Sequence, residues 1–100
     1  MYQVIWKYKI EEKNQNLFEA AYGQYGVWAT FFHAAKEYRG SQLLRATDSD
    51  TSYLLIDQWS TKEDYEKFLD QNHLEYQQMS TDFGKLYIAE ERLGTYQTVQ

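Results

Sequence analysis

Ser52-Tyr53-Leu54-Leu55-Ile56-Asp57-Gln58-Trp59-Ser60-Thr61-Lys62-Glu63 changes its period part-way along. Through Trp59 it alternates, with Tyr53, Leu55, Asp57 and Trp59 on one face and Leu54 and Ile56 on the other. Period two means a strand. Ser60-Thr61-Lys62-Glu63 then reads as a capping box, with Ser60 as cap and Glu63 reaching back to it. Behind it Tyr65, Phe68, Leu69, Tyr76 and Met79 form the apolar stripe of one helix.

Upstream, Asp48-Ser49-Asp50-Thr51 is turn chemistry, so Ser41–Thr47 and Ser52–Trp59 make a hairpin. Phe18, Ala21, Tyr22, Tyr25, Trp28, Ala29 and Phe32 recur at three- and four-residue steps, a helical stripe interrupted by Gly23 and Gly26. Each glycine costs about 1 kcal/mol inside a helix. The pattern predicts a helix to about Gly23, a bend, and a second short helix from Val27 to about Glu37 with Gly40 as its stop. Tyr2–Ile10 alternates and is a first strand. Glu11–Asn14 breaks it, with Asn14 as a helix N-cap. Lys85 to about Thr95 is the last strand. The order is βαββαβ over a single domain, residues 1–100: an α+β, ferredoxin-like fold with a four-stranded antiparallel sheet and the helices on one face.

The chain has 100 residues, enough for one core burying roughly 60–70% of the unfolded surface. It is 43% hydrophobic and 18% aromatic, which marks it as globular. Ten Tyr and three Trp bring large apolar bodies with polar tips. Without Cys there is no disulfide, thiolate metal site or Cys nucleophile. A net charge of −5 argues against nucleic acid as partner. Met1–Lys7 is too short and too alternating for a signal-peptide core, and no apolar run suits a membrane span. A cytoplasmic protein is expected.

Both faces of several strands are apolar: Tyr53, Leu55 and Trp59 against Leu54 and Ile56, Leu43 against Leu44, Leu86 and Ile88 against Tyr87 and Ala89. A monomer of this fold leaves one sheet face in water. A homodimer packed sheet to sheet about a two-fold axis would cover it, because the polar tail Tyr96–Gln100 is too short to do so.

Several motifs carry a resemblance: Tyr22-Gly23-Gln24-Tyr25-Gly26-Val27-Trp28 with Phe31-Phe32, Arg39-Gly40-Ser41-Gln42-Leu43-Leu44, Tyr53 to Ser60, Tyr65-Glu66-Lys67-Phe68, and Glu90-Glu91-Arg92-Leu93-Gly94. With them the chain resembles the antibiotic-biosynthesis-monooxygenase-like group of dimeric α+β barrel proteins. The resemblance implies two ferredoxin-like subunits whose sheets form a barrel, and a pocket in each between sheet and helices. Members include cofactor-independent oxygenases of aromatic polyketides and quinols, haem-degrading enzymes, and proteins without known activity.

Asp57 is the first candidate for chemistry. A carboxylate on a strand buried on both faces needs a partner or a water. It is either a general base with a raised pKa or the ion-pair partner of Arg45 on the adjoining strand. Trp59 and Tyr65 flank the strand-to-helix turn, and the resembled oxygenases line their substrate pocket with Trp and Tyr. Trp28 and Phe32, beyond the glycine bend, are candidates for the opposite wall; all four serve equally as core. An aromatic-lined cavity suits a small hydrophobic aromatic ligand. His33, whose ordinary pKa lies near neutrality, is the candidate proton shuttle.

His33 with Glu37, or Asp70 with His73, supplies two ligands where zinc wants three or four, so no metal is expected. In the haem-degrading branch an aromatic precedes the axial His by about three turns. Phe68 fits the aromatic position, but Gln78 stands at the ligand position, and the first strand lacks the Asn of that pattern. No haem, flavin or nucleotide cofactor is expected. The leading expectation is a cofactor-free monooxygenase of a small aromatic or quinol-type compound. The alternatives are a non-catalytic ligand-binding or structural homodimer and, less well supported, a haem-binding protein.

Overall fold

A computed structural model describes residues 1–100. Strand β1 (Tyr2–Lys9) is followed by a 3-10 turn (Glu12–Asn14), helix α1 (Gln15–Tyr22), helix α2 (Val27–Phe32), strands β2 (Tyr38–Arg45) and β3 (Ser52–Trp59), helices α3 (Lys62–Gln71) and α4 (His73–Gly84), and strand β4 (Ala89–Gln97). The strands form one antiparallel sheet in the order β2-β3-β1-β4. This is the ferredoxin-like arrangement the alternation predicts. Val4, Tyr8, Leu55 and Trp59 face inward onto Phe18, Tyr22, Phe32, Tyr65 and Phe68 of the helices, and together they are the core.

The glycine bend is a steric requirement. A Cβ on Gly26 would lie 2.5 Å from the Ala20 carbonyl oxygen and 2.6 Å from that of Ala21. The chain doubles back over the end of α1 there, and only glycine lets it approach so closely. Asn14 precedes α1, but its side chain makes no capping bond.

Several expected boundaries move. α2 ends at Phe32, not near Glu37, because the chain tightens into i→i+3 bonds: Ala34 N–H to Phe31 O at 3.3 Å and Ala35 N–H to Phe32 O at 3.0 Å. β2 therefore begins at Tyr38, and Gly40 is not a helix stop. It sits at a bulge between Tyr38 and Ser41 with φ +104°, a left-handed conformation that favours glycine. The cap of α3 is Thr61, whose hydroxyl accepts from the Asp64 N–H at 3.1 Å, while Ser60 donates to the Glu37 carbonyl at 3.2 Å. The single helix expected after it is two helices, broken at Asn72, whose amide turns back to the Phe68 carbonyl at 2.9 Å. β4 starts at Ala89, not Lys85. Leu86 and Tyr87 lie in a turn and pack on the core, and pairing begins only after Ile88 N–H meets Lys9 O at 2.7 Å.

The outward face of the sheet carries Ile5, Leu54 and Ile56, all half-buried, with exposed Leu44 beside them. No helix is long and apolar enough to cross a membrane.

Candidate active site

Between the sheet and α3–α4 lies a cavity of about 50 Å³. Asp57 and Leu55 from β3 and Trp6 and Tyr8 from β1 form its floor. Trp28 and Phe32 from α2 and Tyr65 from α3 are walls; Tyr76 and Ser80 of α4 close it, and Tyr87 and Glu90 stand at the β4 side. Eight of the twelve lining residues are aromatic. Two carboxylates, Asp57 and Glu90, interrupt them.

Asp57 is 6% exposed. It is directly opposite Ser41 in the β2–β3 register, and the Ser41 hydroxyl donates to Oδ1 at 2.6 Å. That is the only hydrogen bond recorded to the carboxylate. Burial pushes its pKa up to about 6, with the Ser41 bond opposing the rise. Arg45 is not its partner. Arg45 pairs with Tyr53, four residues along the strand from Ser41 and Asp57, or roughly 13 Å at strand rise. Its guanidinium reaches Glu19 at 3.0 Å instead.

Tyr8 donates to Glu90 at 2.7 Å, and its ring lies 5.1–5.3 Å from those of Phe18, Tyr22 and Tyr87. Burial holds the phenols of Tyr8, Tyr22 and Tyr65 well above the usual tyrosine range. At neutral pH the tyrosines around the cavity are proton donors, and Asp57 is an acceptor. On β4, Arg92 lies over the Trp6 ring at 5.8 Å and forms no ion pair; the ion pairs present are Lys13–Glu11 and Arg45–Glu19. Two indole N–H groups, those of Trp28 and Trp59, are buried without an acceptor.

Of the residues singled out in the sequence, Asp57, Trp28, Phe32 and Tyr65 meet around this cavity. Trp59 does not line it. Fully buried, it stands behind the wall, with Phe32 and Tyr65 at 5.5 and 5.6 Å between centroids. His33 is not brought to the cavity either. Because α2 ends one residue before it, His33 is exposed, its ring edge-on to Tyr38 at 4.7 Å. Tyr8, Tyr22, Tyr76, Tyr87 and Glu90 were not singled out. The signal available for Tyr8 was its place in β1's inward row, which reads the same for a core residue. No three His, Asp or Glu side chains gather as a metal site.

The model of the antibiotic biosynthesis monooxygenase family matches residues 1–78. The chain belongs to that family. No curated protein matches it in sequence. Among solved structures it is similar to SnoaB of Streptomyces nogalater, described as a cofactor-independent oxygenase and solved there as a mutant: 21% identity over 99% of this chain and 93% of that one, TM-score 0.80. A Bordetella bronchiseptica protein assigned to the antibiotic biosynthesis monooxygenases is 20% identical over 99% and 97% of the two chains, TM-score 0.74. One from Nitrosomonas europaea is 14% identical over the full length of both, TM-score 0.72. At such identities the likeness is one of fold.

Proposed function

We propose that this member of the family is a cofactor-independent monooxygenase of a small aromatic or quinol-type compound, with Asp57 as general base. The observation that carries this reading is a buried carboxylate, its pKa raised to about 6, held by a single serine hydroxyl on the floor of a mainly aromatic cavity. A base poised near the working pH is what proton abstraction needs. The family and the SnoaB likeness support the same reaction class.

Asp57 takes a proton from the bound phenol or activated carbon. The resulting electron-rich anion reacts with dioxygen, and one oxygen atom stays in the product while the other leaves as water. The substrate supplies the four electrons, so no cofactor enters the balance. The tyrosine phenols donate to developing oxyanions, and the aromatic walls orient the ring and exclude water.

A cavity of about 50 Å³ holds one or two waters at about 30 Å³ each, not an aromatic ring; benzene fits an engineered cavity of about 150 Å³. The substrate therefore enters by moving a wall. α4 is the wall that can move, since it has no buried residue and joins α3 through the break at Asn72. The functional unit in this reading is a cytoplasmic homodimer, with Ile5, Leu44, Leu54 and Ile56 covered by the second copy's sheet.

The test uses an oxygen electrode and 1,4-naphthohydroquinone. Oxygen uptake above the spontaneous rate is expected, falling by about 10²–10⁴-fold in Asp57→Asn. Saturable quenching of Trp fluorescence by 1-naphthol without any oxygen uptake supports the ligand-binding dimer instead.

A further inference from the structure

Ser41 has two neighbourhoods. Inward, its hydroxyl donates to Asp57 at 2.6 Å. At the β2 edge Ser41, only 7% exposed, also borders an open groove with His33, Gln42 and Gln58. β2 is an edge strand, so this groove lies at the opposite edge from β4, which carries Glu90. One buried serine thus stands between the carboxylate and the groove at the far edge.

The Tyr38 phenol is hydrogen-bonded to the Ser41 oxygen. An ionised carboxylate only accepts, so Ser41 donates to Asp57 and Tyr38 must donate to Ser41. Tyr38 itself is buried, its ring packed on Phe32 and Trp59. It holds the serine hydroxyl aimed at the carboxylate.

We propose that Ser41 is the proton exit of Asp57, a positioning residue that clears the base through the β2 edge while substrate fills the cavity. The proposal rests on the reading of Asp57 as general base. A proton taken from substrate reaches Ser41 when the carboxyl turns about its Cβ–Cγ bond. The carboxyl O–H breaks and a new Oγ–H forms. Ser41's former proton passes to a groove water, which leaves as hydronium. Asp57 is again a carboxylate accepting from Ser41, and Tyr38 has donated throughout. That end state is the hydrogen-bond pattern present in the structure.

A filled cavity makes such a route necessary. Product and aromatic walls exclude water on the α4 side, so a base that can discharge only there must wait for product release.

The test is carried out on the whole protein labelled with ¹³C at the Asp carboxyl carbons. Asp57 is assigned as the resonance lost in Asp57→Asn. The label excludes Glu90, and the other titratable groups near Asp57 are Tyr8 on β1, Tyr38 on β2, Tyr65 on α3 and Tyr76 on α4, all held protonated here by raised pKa values. Near pH 6, relaxation dispersion reads the proton exchange rate at Asp57. Ser41→Ala should slow it by about 10²-fold, the low end of what a positioned proton-transfer group supplies. Ser41→Thr, which keeps the hydroxyl, should restore it, and Tyr38→Phe should slow it less than Ser41→Ala does. Unchanged exchange in Ser41→Ala overturns the proposal, because protons then reach Asp57 through the cavity. If Ser41→Ala does not fold, Tyr38→Phe decides: wild-type exchange there overturns the proposal equally. Failure of naphthohydroquinone oxidation with slowed exchange in Ser41→Ala removes the oxygenase reading and leaves the proton path standing.

Discussion

Tyr8 and Glu90 face each other across the β1–β4 pair, phenol to carboxylate at 2.7 Å. The phenol is buried and the carboxylate is at the surface, so this bond joins the core to the exposed last strand. Bonds to a charged acceptor contribute about 1.5–3 kcal/mol when shielded. With the acceptor in water, Glu90→Gln should cost about 1 kcal/mol, discounted for screening. Urea denaturation with an unchanged m-value checks this.

The same tyrosines limit stability in alkali. A phenol whose folded pKa lies above its unfolded one contributes stability that is intact below pH 10 and is lost as pH rises beyond it. Burial first, then the hydrogen bond to Glu90 and its charge, raises Tyr8, and burial raises Tyr22 and Tyr65. Their ionisation at 295 nm should therefore coincide with loss of the circular-dichroism signal. Titration of all ten tyrosines near pH 10 in a still folded protein would contradict it.

Asp57 has the same sign at lower pH. Its folded pKa is raised from 3.8 to about 6, so the folded state favours the protonated form. Stability from this group is greatest below pH 4 and falls as pH rises through 6. Two units correspond to about 3 kcal/mol. Asp57→Asn should therefore be more stable than wild type at pH 8, lose that advantage at pH 4, and be the least active variant. A melting-temperature difference that ignores pH would show that the carboxylate is not desolvated.

For the ligand, Trp28→Phe should remove much of the 1-naphthol quenching of tryptophan fluorescence. Trp59→Phe should keep it, because Trp59 stands behind Phe32 and Tyr65. Truncation to Trp59→Ala acts on folding instead, at about 3–5 kcal/mol.

The outward sheet face gives the assembly test. Sedimentation equilibrium should return twice the 12.0 kDa chain mass at micromolar concentration, and Ile56→Asp should reduce it to the monomer or unfold the chain. A stable wild-type monomer removes the dimer.

How far the sequence could be read depended on the length scale of each signal. Alternation in Tyr2–Ile10 and Tyr53–Trp59 shows which side chains face inward, and the βαββαβ succession of elements was enough for a four-stranded antiparallel sheet. Ends of elements depend on one or two hydrogen bonds. Thr61 and Ser60 are both hydroxyl residues, and only the structure shows that the second-placed one caps. The break at Asn72 leaves the apolar stripe of Tyr65, Phe68, Tyr76 and Met79 nearly in phase, so periodicity does not detect it. For the site, Asp57 stood out because a carboxylate in an apolar row is conspicuous. Its partner Ser41 lies sixteen residues away on another strand, and a serine in a strand is unremarkable until register places it.

In the proposed reaction, the break at Asn72 puts the base and the lid on separate pieces of the molecule. Asp57 and Ser41 belong to the sheet, where any shift would disturb two ladders of hydrogen bonds. Tyr76, Met79, Ser80 and Phe83 belong to a helix that can change its side chains without touching those ladders. Under that proposal, descendants of this chain could accept new molecules through changes in α4 while the proton chemistry of the sheet is inherited unchanged, a route to diversity within one small scaffold.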